Sequence, residues 1–403
     1  APPEEVERRL SELYAEAGAA GDEAIAAEAL LVRAAAARRA SRADEATRLL
    51  DEALPRLVAL GDRRLEVEAL SLRGRFEGES GRLDTGLATA NRALELAVAE
   101  ADLAGEAGAL LVQGALFNWR GDGEAAFAAT AKAAQKLRLT GNRALLVRVL
   151  VNLVTARVER GEFLQAEAAI AEAEPIVREL GSEALQGAVF QARGYLEEQR
   201  GNVDTARTSY LAAIASARES GSPAILGMYL HDLAWLEVSQ DLPAAAAAAA
   251  TEAVEIYQRG GDERSALEVE AVLAWVEAKR GDATVARRQL ARLAARAEEG
   301  GSESALFVVL VAEARVAELV ADFARAIELR RRLCAMAEGF DSPGLLLTHR
   351  LGLAKSLEVA GRHAEADALA RELLPEAERL GLPQVIQELR RILRAGIAGG
   401  SRG

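Results

Sequence analysis

The sequence predicts an all-α fold, a solenoid in which helical hairpins stack in a row. Three observations lead to this prediction: a helix-forming composition, helix-ending residues at a fixed spacing, and small residues in register within the repeats. Ala, Leu, Glu and Arg dominate the 403 residues, and only 4% are aromatic. Such a composition favours helices over strands.

A residue that ends helices stands at every twentieth position from 21 to 381, without insertion or deletion. Glycine predominates there because it adopts the left-handed conformation of a helix end without steric cost. Every second position belongs to a first series: Gly21, Gly61, Ala101, Gly141, Gly181, Gly221, Gly261, Gly301, Asp341 and Gly381. The positions between them form a second series: Ser41, Gly81, Gly121, Gly161, Gly201, Asp241, Gly281, Ala321 and Gly361. The spacing predicts helices of about 17 residues, roughly 25 Å long.

Residues that cap helix N-termini follow the first series, and their side chains accept hydrogen bonds from the first turn. They are Asp22, Asp62, Asp102, Asn142, Ser182, Ser222, Asp262, Ser302 and Ser342. The helices then pair into nine hairpins: 21–60, 61–100, 101–140, 141–180, 181–220, 221–260, 261–300, 301–340 and 341–380. We expect a lone helix at 1–20, a C-terminal capping helix at 381–398 and a disordered tail at 399–403. Pro55, Pro175 and Pro375 share one position inside second helices, which predicts a bend there.

Small residues recur at one position in the first helices, and they let two helices approach closely. They are Ala34, Gly74, Gly114, Val154, Gly194, Ala234, Ala274, Ala314 and Ala354. The second helices carry a matching series: Ala46, Gly86, Ala126, Ala166, Ala206, Ala246, Ala286, Ala326 and Ala366. A large apolar residue, such as Leu110, precedes most members of the first series by four positions and fills the space between hairpins.

This pattern resembles the tetratricopeptide repeat (TPR) over almost the whole chain. In that family a large apolar residue precedes Gly or Ala by four positions in the first helix, as Leu110 precedes Gly114. The second helix carries two alanines seven positions apart, as at Ala126 and Ala133. The 40-residue repeat exceeds the family's usual length of about 34. It is similar to the long repeats of bacterial maltose-regulator-type and STAND signalling proteins. The resemblance implies a right-handed superhelix whose first helices line the concave face.

The sequence carries no phosphate-binding loop, metalloprotease, hydrolase or kinase motif. We therefore predict that the protein is not an enzyme and that it has no catalytic residues, cofactor or metal site. The single cysteine, Cys334, and three histidines leave little for metal coordination. A net charge of −13 disfavours direct nucleic-acid binding. No apolar run approaches the ~18 residues of a membrane span and no signal peptide precedes the helices, so we expect a cytoplasmic protein without membrane contact.

Aromatic residues recur at a position that the resemblance places on the concave face. Tyr195, Trp235 and Trp275 occupy it in three successive hairpins, and Trp119 takes another inward position. Because Trp and Tyr combine contact area with a polar group, we predict an aromatic ladder that contacts a ligand. Neighbouring inward positions complete the predicted site: Arg148, Asn152, Gln191, Met228, His231, Asp232 and Arg315. Asn118 and Glu198 take inward positions further along the helices. The alternative is that the rings fill the core between helices.

Arg148 and Asn152 lie one helical turn apart and resemble part of the carboxylate clamp by which some TPR domains bind peptide C-termini. Val151 and Thr155 stand where the clamp has a lysine and a second asparagine. The sequence therefore argues against a clamp of that kind.

The resemblance implies a non-enzymatic protein–protein interaction scaffold, the sensor or regulatory region of a bacterial signalling protein, which binds a peptide or protein segment in its groove. The chain begins at Ala1 rather than Met, and we expect a kinase or nucleotide-binding ATPase domain fused before it. The excess of Arg over Lys is typical of a high-GC bacterial genome. Two alternatives stay open: an array that senses a sugar-like inducer for a transcriptional regulator, and an oligomerisation scaffold that uses its final helix.

Overall fold

The computed structural model describes residues 3–39, 43–79, 82–120, 122–339, 343–380 and 382–400. Within these residues every element is an α-helix and none is a strand. The helices are α1 (Pro3–Ala20), α2 (Glu23–Arg39), α3 (Ala43–Leu60), α4 (Arg63–Glu79), α5 (Leu83–Ala99), α6 (Leu103–Arg120), α7 (Gly123–Arg138), α8 (Arg143–Glu159), α9 (Phe163–Leu180), α10 (Glu183–Arg200), α11 (Val203–Ser220), α12 (Pro223–Ser239), α13 (Pro243–Gly260), α14 (Glu263–Lys279), α15 (Ala283–Glu299), α16 (Glu303–Leu319), α17 (Phe323–Glu338), α18 (Pro343–Val359), α19 (His363–Leu380) and α20 (Pro383–Gly400). The predicted all-α class is confirmed.

The helix ends follow the 20-residue spacing, and neighbours such as α4 and α5, or α10 and α11, pack together as hairpins. At the C-terminus α20 runs to Gly400, so residues 399 and 400, which the sequence pattern assigns to a tail, belong to this helix. Several predicted positions and the rest of the tail lie outside the described residues: Ser41, Gly81, Gly121, Asp341, Ser342, Gly381 and 401–403. The division into nine hairpin units and the right-handed winding stay predictions.

The chain divides into two compact units, Ala1–Val149 and Leu150–Gly403, with the border inside α8. The repeat spacing runs through this border unchanged and therefore does not mark it. Each unit has its own hydrophobic clusters. One in the first unit is built around buried residues such as Leu57 and Phe76, and the largest in the second includes Tyr210.

The left-handed turn between helices is a property of the position rather than of glycine. Ala101, Asp241 and Ala321 adopt φ angles of 53°, 60° and 59°, close to those of glycines at equivalent positions. At Ala321 the turn is closed by two backbone bonds, one of 3.1 Å from its N–H to the Glu318 carbonyl and one of 2.9 Å from the Asp322 N–H to Ala317. The array imposes this conformation although a Cβ makes it unfavourable.

Small residues are required where the paired helices cross. A Cβ on Gly74 of α4 would lie 2.9 Å from the carbonyl oxygen of Gly86 in α5, and one on Gly86 would lie 2.6 Å from that of Gly74. In the second unit, a Cβ on Gly194 would lie 2.6 Å from the ring of Tyr210. The close approach expected from the small residues in register is therefore present.

The last helix, α20, covers the end of the second unit. Leu389 and Ile392 are buried in a cluster with residues of α18 and α19, and Val385, Ile386 and Leu393 pack against the same cluster. The apolar side of α20 is therefore used within the chain.

We predict that Ala321→Gly stabilises the protein by about 0.5–1 kcal/mol, because glycine removes the steric cost of the left-handed turn. Chemical denaturation of the variant and the wild type measures the difference. Ala248→Gly is the matched control, since Ala248 is exposed in the middle of α13. There the same change should cost about 1 kcal/mol. Destabilisation at both positions would contradict the conformational argument.

We predict that Leu389→Ala lowers the local free energy of unfolding of the C-terminal helices by about 2–5 kcal/mol, because it opens a cavity under the cap. Amide hydrogen exchange in α18 and α19 measures this local stability. Gln387→Ala, two residues away on the exposed side of α20, should change it by less than about 0.5 kcal/mol. Equal effects of the two variants would show that α20 is not a cap.

Candidate functional site

Two of the predicted site residues belong to the first unit. Trp119 near the end of α6 is 42% exposed, and its ring lies beside Gly78 of α4, where a Cβ would come within 2.9 Å of the indole. The guanidinium of Arg75 lies 5.9 Å from the centre of the ring, a cation–π distance. Arg148 is exposed on α8. Trp119 therefore presents an open aromatic face supported by the preceding first helix.

In the second unit, α10 and α12 bring four predicted residues into two hydrogen-bonded pairs. The Gln191 side-chain amide donates to Oδ2 of Asp232 at 2.9 Å, which joins the two helices. The indole N–H of Trp235 donates to Nε2 of His231 at 2.8 Å, one turn apart on α12. His231 accepts this bond as a neutral ring, and burial lowers its pKa to about 4.

The carboxyl of Asp232 is poorly hydrated and has no compensating cation among the described residues. Burial, and next the negative charge of Glu198, raise the pKa of its carboxyl to about 7, whereas the bond from Gln191 opposes this rise. Among the described residues no Lys or Arg forms an ion pair with Asp232. A buried carboxylate left in this state is costly, so the group holds its proton more readily than an exposed aspartate.

Tyr195 lies among three carboxyl groups. Burial raises the pKa of its hydroxyl, and the charges of Glu159, Glu198 and Asp232 raise it further. Burial also raises the pKa of Glu159 and of Glu198. Glu198 accepts a hydrogen bond of 2.7 Å from the hydroxyl of Tyr210 in α11, which lowers its pKa in part.

The sequence pattern places Glu198 on the inward side, because it follows Tyr195 by three residues and shares its side of α10, whereas Glu159 was not among the predicted residues. Glu159, at the end of α8, gave no such signal, because charged residues are common at helix ends in this sequence. We call the partly buried group formed by Gln191, Tyr195, Glu198, His231, Asp232 and Trp235 the Asp232 surface.

The predicted aromatic ladder is wrong at Trp275. This side chain is only 3% exposed and belongs to the largest hydrophobic cluster of the second unit, whereas Trp235 is partly exposed at its edge. The helix α16 packs directly on α14, and Lys279 lies 5.6 Å from the centre of the ring. Trp275 is therefore core, which is the alternative that the sequence left open.

The remaining predicted residues of the second unit lie in different surroundings. Asn152 is exposed on α8, and Met228 is 43% exposed on α12. Arg315 of α16 is mostly buried, and its Nη1 donates a long hydrogen bond of 3.4 Å to the carbonyl of Val238 at the end of α12. The structure thus connects Arg315, but not Asn152, with the helix that carries Asp232.

The Asp232 surface can accept hydrogen bonds and positive charge beside an aromatic face. Its carboxyls are suited to amide, hydroxyl or cationic donors, and the face of Trp235 is suited to apolar or cationic groups. Within the described residues, no group of three or more His, Cys, Asp and Glu side chains could hold a metal ion. None of the helices described here has the length and apolar character needed to cross a membrane.

A cleft of about 580 Å³ lies in the first unit between α3, α4 and α5, and it differs from the Asp232 surface in the pairing of its charges. Its polar residues already satisfy one another. Glu77 accepts hydrogen bonds from Thr89 at 2.6 Å and from Arg73 at 3.2 Å, and Glu66 pairs with Arg63 at 2.6 Å. The charges of this cleft are compensated within the protein, unlike that of Asp232.

Comparison with known proteins bears on the fold. No protein-family model matches the sequence, and no curated protein matches it. Solved structures do match. A Rap protein complexed with competence and sporulation factor is 14% identical, with a TM-score of 0.58, over 93% of this chain and 98% of its own. The Rap conjugation gene regulator of plasmid pLS20, in complex with a Phr peptide, is 15% identical, with a TM-score of 0.54, over 70% of this chain and 78% of its own.

A third similar structure is a signal transduction ATPase with numerous domains (STAND) from Pyrococcus horikoshii, which has a tetratricopeptide repeat sensor. It is 14% identical, with a TM-score of 0.51, over 88% of this chain and 54% of its own. At such identities the similarity shows the fold. The chain is an α-solenoid of the tetratricopeptide-repeat type, as the small residues in register predicted.

We predict that Asp232→Asn stabilises the protein at neutral and higher pH. The carboxyl pKa rises from 3.8 to about 7 on folding, so the folded state favours the protonated form and loses stability as pH rises between these values. Asparagine keeps the acceptor for Gln191 without the charge. At about 1.4 kcal/mol per pKa unit, the variant should gain up to about 4 kcal/mol above pH 7 and nothing near pH 4. Denaturation at several pH values measures this gain.

His231→Gln is the control of opposite sign. The folded pKa of His231 is lowered from 6.5 to about 4, so its stability contribution is present above pH 6.5 and is lost as pH falls toward 4. The difference between this variant and the wild type should therefore change only below about pH 6.5. A pH-independent effect of Asp232→Asn would show that Asp232 is not buried as described.

Proposed function

We propose that this protein is a non-enzymatic protein-interaction scaffold and that the Asp232 surface binds a peptide or protein segment. The single observation that carries the proposal is the uncompensated carboxyl of Asp232 beside the partly exposed ring of Trp235. Folding alone gains nothing from a buried acid without a cation, whereas a ligand that donates hydrogen bonds or positive charge there gains affinity.

The arrangement of the surface suits an extended chain. The Gln191–Asp232 bond joins α10 and α12, and an extended peptide advances about 3.3 Å per residue, so a short peptide can contact both helices. Gln191 and Asp232 offer acceptors and donors for backbone amides, and Trp235 offers a face for a side chain. The Rap regulator of similar fold that was solved with a Phr peptide supports this reading.

The similarity of fold also supports an inference about the larger protein to which this region belongs. We infer a sensor or regulatory region of a larger bacterial signalling protein in the cytoplasm, with a kinase or nucleotide-binding ATPase domain preceding it. The similarity to a STAND ATPase with a tetratricopeptide repeat sensor supports this inference, as does the excess of Arg over Lys.

A second candidate is a small polar ligand, such as a sugar-like inducer. The observation in its favour is the concentration of hydrogen-bonding groups on two adjacent helices, since Gln191, Asp232 and His231 surround one aromatic ring. The third possibility, an oligomerisation scaffold that uses its final helix, loses its basis because α20 buries its apolar side within the chain.

We predict that Trp235→Leu weakens peptide binding by about fivefold or more, as expected for an aromatic anchor worth at least about 1 kcal/mol. Peptides are first selected on the wild-type protein from a random heptapeptide library, and their affinities are measured by titration calorimetry. The melting temperature of this variant should change little, because Trp235 lies at the edge of the core.

Trp275→Leu makes the same chemical change at the equivalent position of the next hairpin. Because Trp275 is buried, this variant should lose stability and keep its peptide affinity at temperatures where it stays folded. The reverse pattern, or a failure of the library to yield peptides that depend on Trp235, would contradict the proposed function. Binding of sugars in place of peptides would favour the second candidate.

A further inference from the structure

Arg315 holds a largely buried positive charge with little compensation. Its Nε is buried and makes no hydrogen bond with any described residue, and the long bond of Nη1 to the Val238 carbonyl is its one hydrogen bond in the described chain. Nε and Nη2 form the side-on edge of the guanidinium. This edge presents two parallel N–H groups, which is the geometry that binds a carboxylate through both of its oxygens.

The neighbouring charges do not neutralise Arg315. Glu318, one turn later on α16, is the acid that acts on Arg315 most strongly, but its oxygens accept bonds from Arg330 at 3.0 and 3.2 Å and from Ser356 at 2.7 Å. Asp241 acts on Arg315 from a distance and forms an ion pair with Lys279. Burial lowers the pKa of Arg315, and the positive charge of Arg330 lowers it further.

A second unpaired polar group lies in the same environment. His349 of α18 is 6% exposed, and its Nδ1 is buried without a hydrogen-bond partner among the described residues. The ring stands edge-on to Phe307 with centroids 4.7 Å apart. Burial, and next the charges of Arg330 and Arg315, lower its pKa to about 4, so His349 is neutral at pH 7 and adds no charge.

The balance of these groups leaves one positive charge in excess. Arg315, Arg330 and Lys279 face the acids Glu318 and Asp241, and His349 is neutral. An uncompensated charge in a poorly hydrated position costs stability, and the cost falls when a counter-charge with matching geometry binds. The edge that lacks partners is the one that a carboxylate fits best.

We propose that the Nε–Nη2 edge of Arg315 binds a carboxylate, with His349 lining the site. The proposal rests on the proposed function for its ligand, a peptide that offers either its C-terminal carboxylate or an Asp or Glu side chain. Val238, which Arg315 contacts, follows Asp232 by six residues on α12, about 9 Å along the helix. One short peptide therefore reaches both groups, with a donor or cationic group at Asp232 and a carboxylate at Arg315.

This site differs from the carboxylate clamp that Arg148 and Asn152 resemble in part. Arg148 and Asn152 are exposed residues of α8, and exposed arginines gain little from a carboxylate in water. Arg315 is the stronger ligand group because its desolvation is already part of the folded state.

The test begins with acetate as the probe, compared with chloride at equal ionic strength, on the wild type, Arg315→Met and Arg332→Met. Arg332 is an exposed arginine that pairs with Glu298 at 3.1 Å and serves as the matched control. We expect acetate to raise the melting temperature of the wild type and of Arg332→Met, and to leave that of Arg315→Met unchanged. In chloride, Arg315→Met should melt at a higher temperature than the wild type, because an apolar chain of similar length replaces the buried charge.

The second arm uses the peptides selected on the wild type. Each is synthesised with a free or amidated C-terminus, and with its Asp and Glu replaced by Asn and Gln. One of these changes should weaken binding to the wild type about tenfold, as expected for a charge-assisted bond, and should not affect binding to Arg315→Met. Which change does so identifies the source of the carboxylate.

Three outcomes decide between the two proposals. In the first, peptides bind through Trp235 with an affinity that neither C-terminal amidation nor replacement of their Asp and Glu alters. In that case the carboxylate site is wrong and the proposed function stands. If the acetate effect depends on Arg315 but no peptide binds, the carboxylate site stands and the peptide function is wrong. If acetate stabilises all three proteins equally, or if Arg315→Met melts lower and acetate has no effect, Arg315 serves only to hold the Val238 carbonyl, and the site is refuted.

Discussion

Close contact between paired helices is the constraint on which the other features depend. At Gly74 and Gly86 the backbones approach so closely that a single added methyl group would collide with a carbonyl. This approach fixes the distance between helices and therefore aligns the first helices of successive repeats. Residues about 40 apart then become neighbours, which is why Gln191 can donate to Asp232.

The pairing of charged side chains differs between the exposed surface of the second unit and its candidate site. Exposed arginines pair with glutamates across helices, as Arg391 does with Glu358 at 2.7 Å. Such exposed pairs contribute little each. Asp232 and Arg315 differ from them, because both are poorly hydrated and neither has an ion pair in the described chain. A ligand with the opposite pattern of charge would complement them.

One repeat position shows how the same structural contact can produce a different local charge. Glu198 and Glu318 stand three repeats apart at the same position, and each accepts a hydrogen bond from the residue twelve positions later. That partner is Tyr210 in one repeat and Arg330 in the other. With tyrosine the glutamate adds negative charge near Asp232, whereas with arginine it is neutralised, and Arg315 keeps its excess positive charge. The fold stays constant while the local charge is reversed.

The sequence by itself determined the helices, their ends and the repeat type, because these depend on local backbone preferences and on periodic small residues such as Gly194. It also placed Asp232 and Trp235 on one side of α12, since the helical period fixes that. Only the tertiary structure decided which inward residues are open. Trp275 has the same register as Trp235 but is buried, because α16 packs on α14. The border of the two units and the unpaired edge of Arg315 likewise depend on contacts between distant helices, which periodicity does not encode.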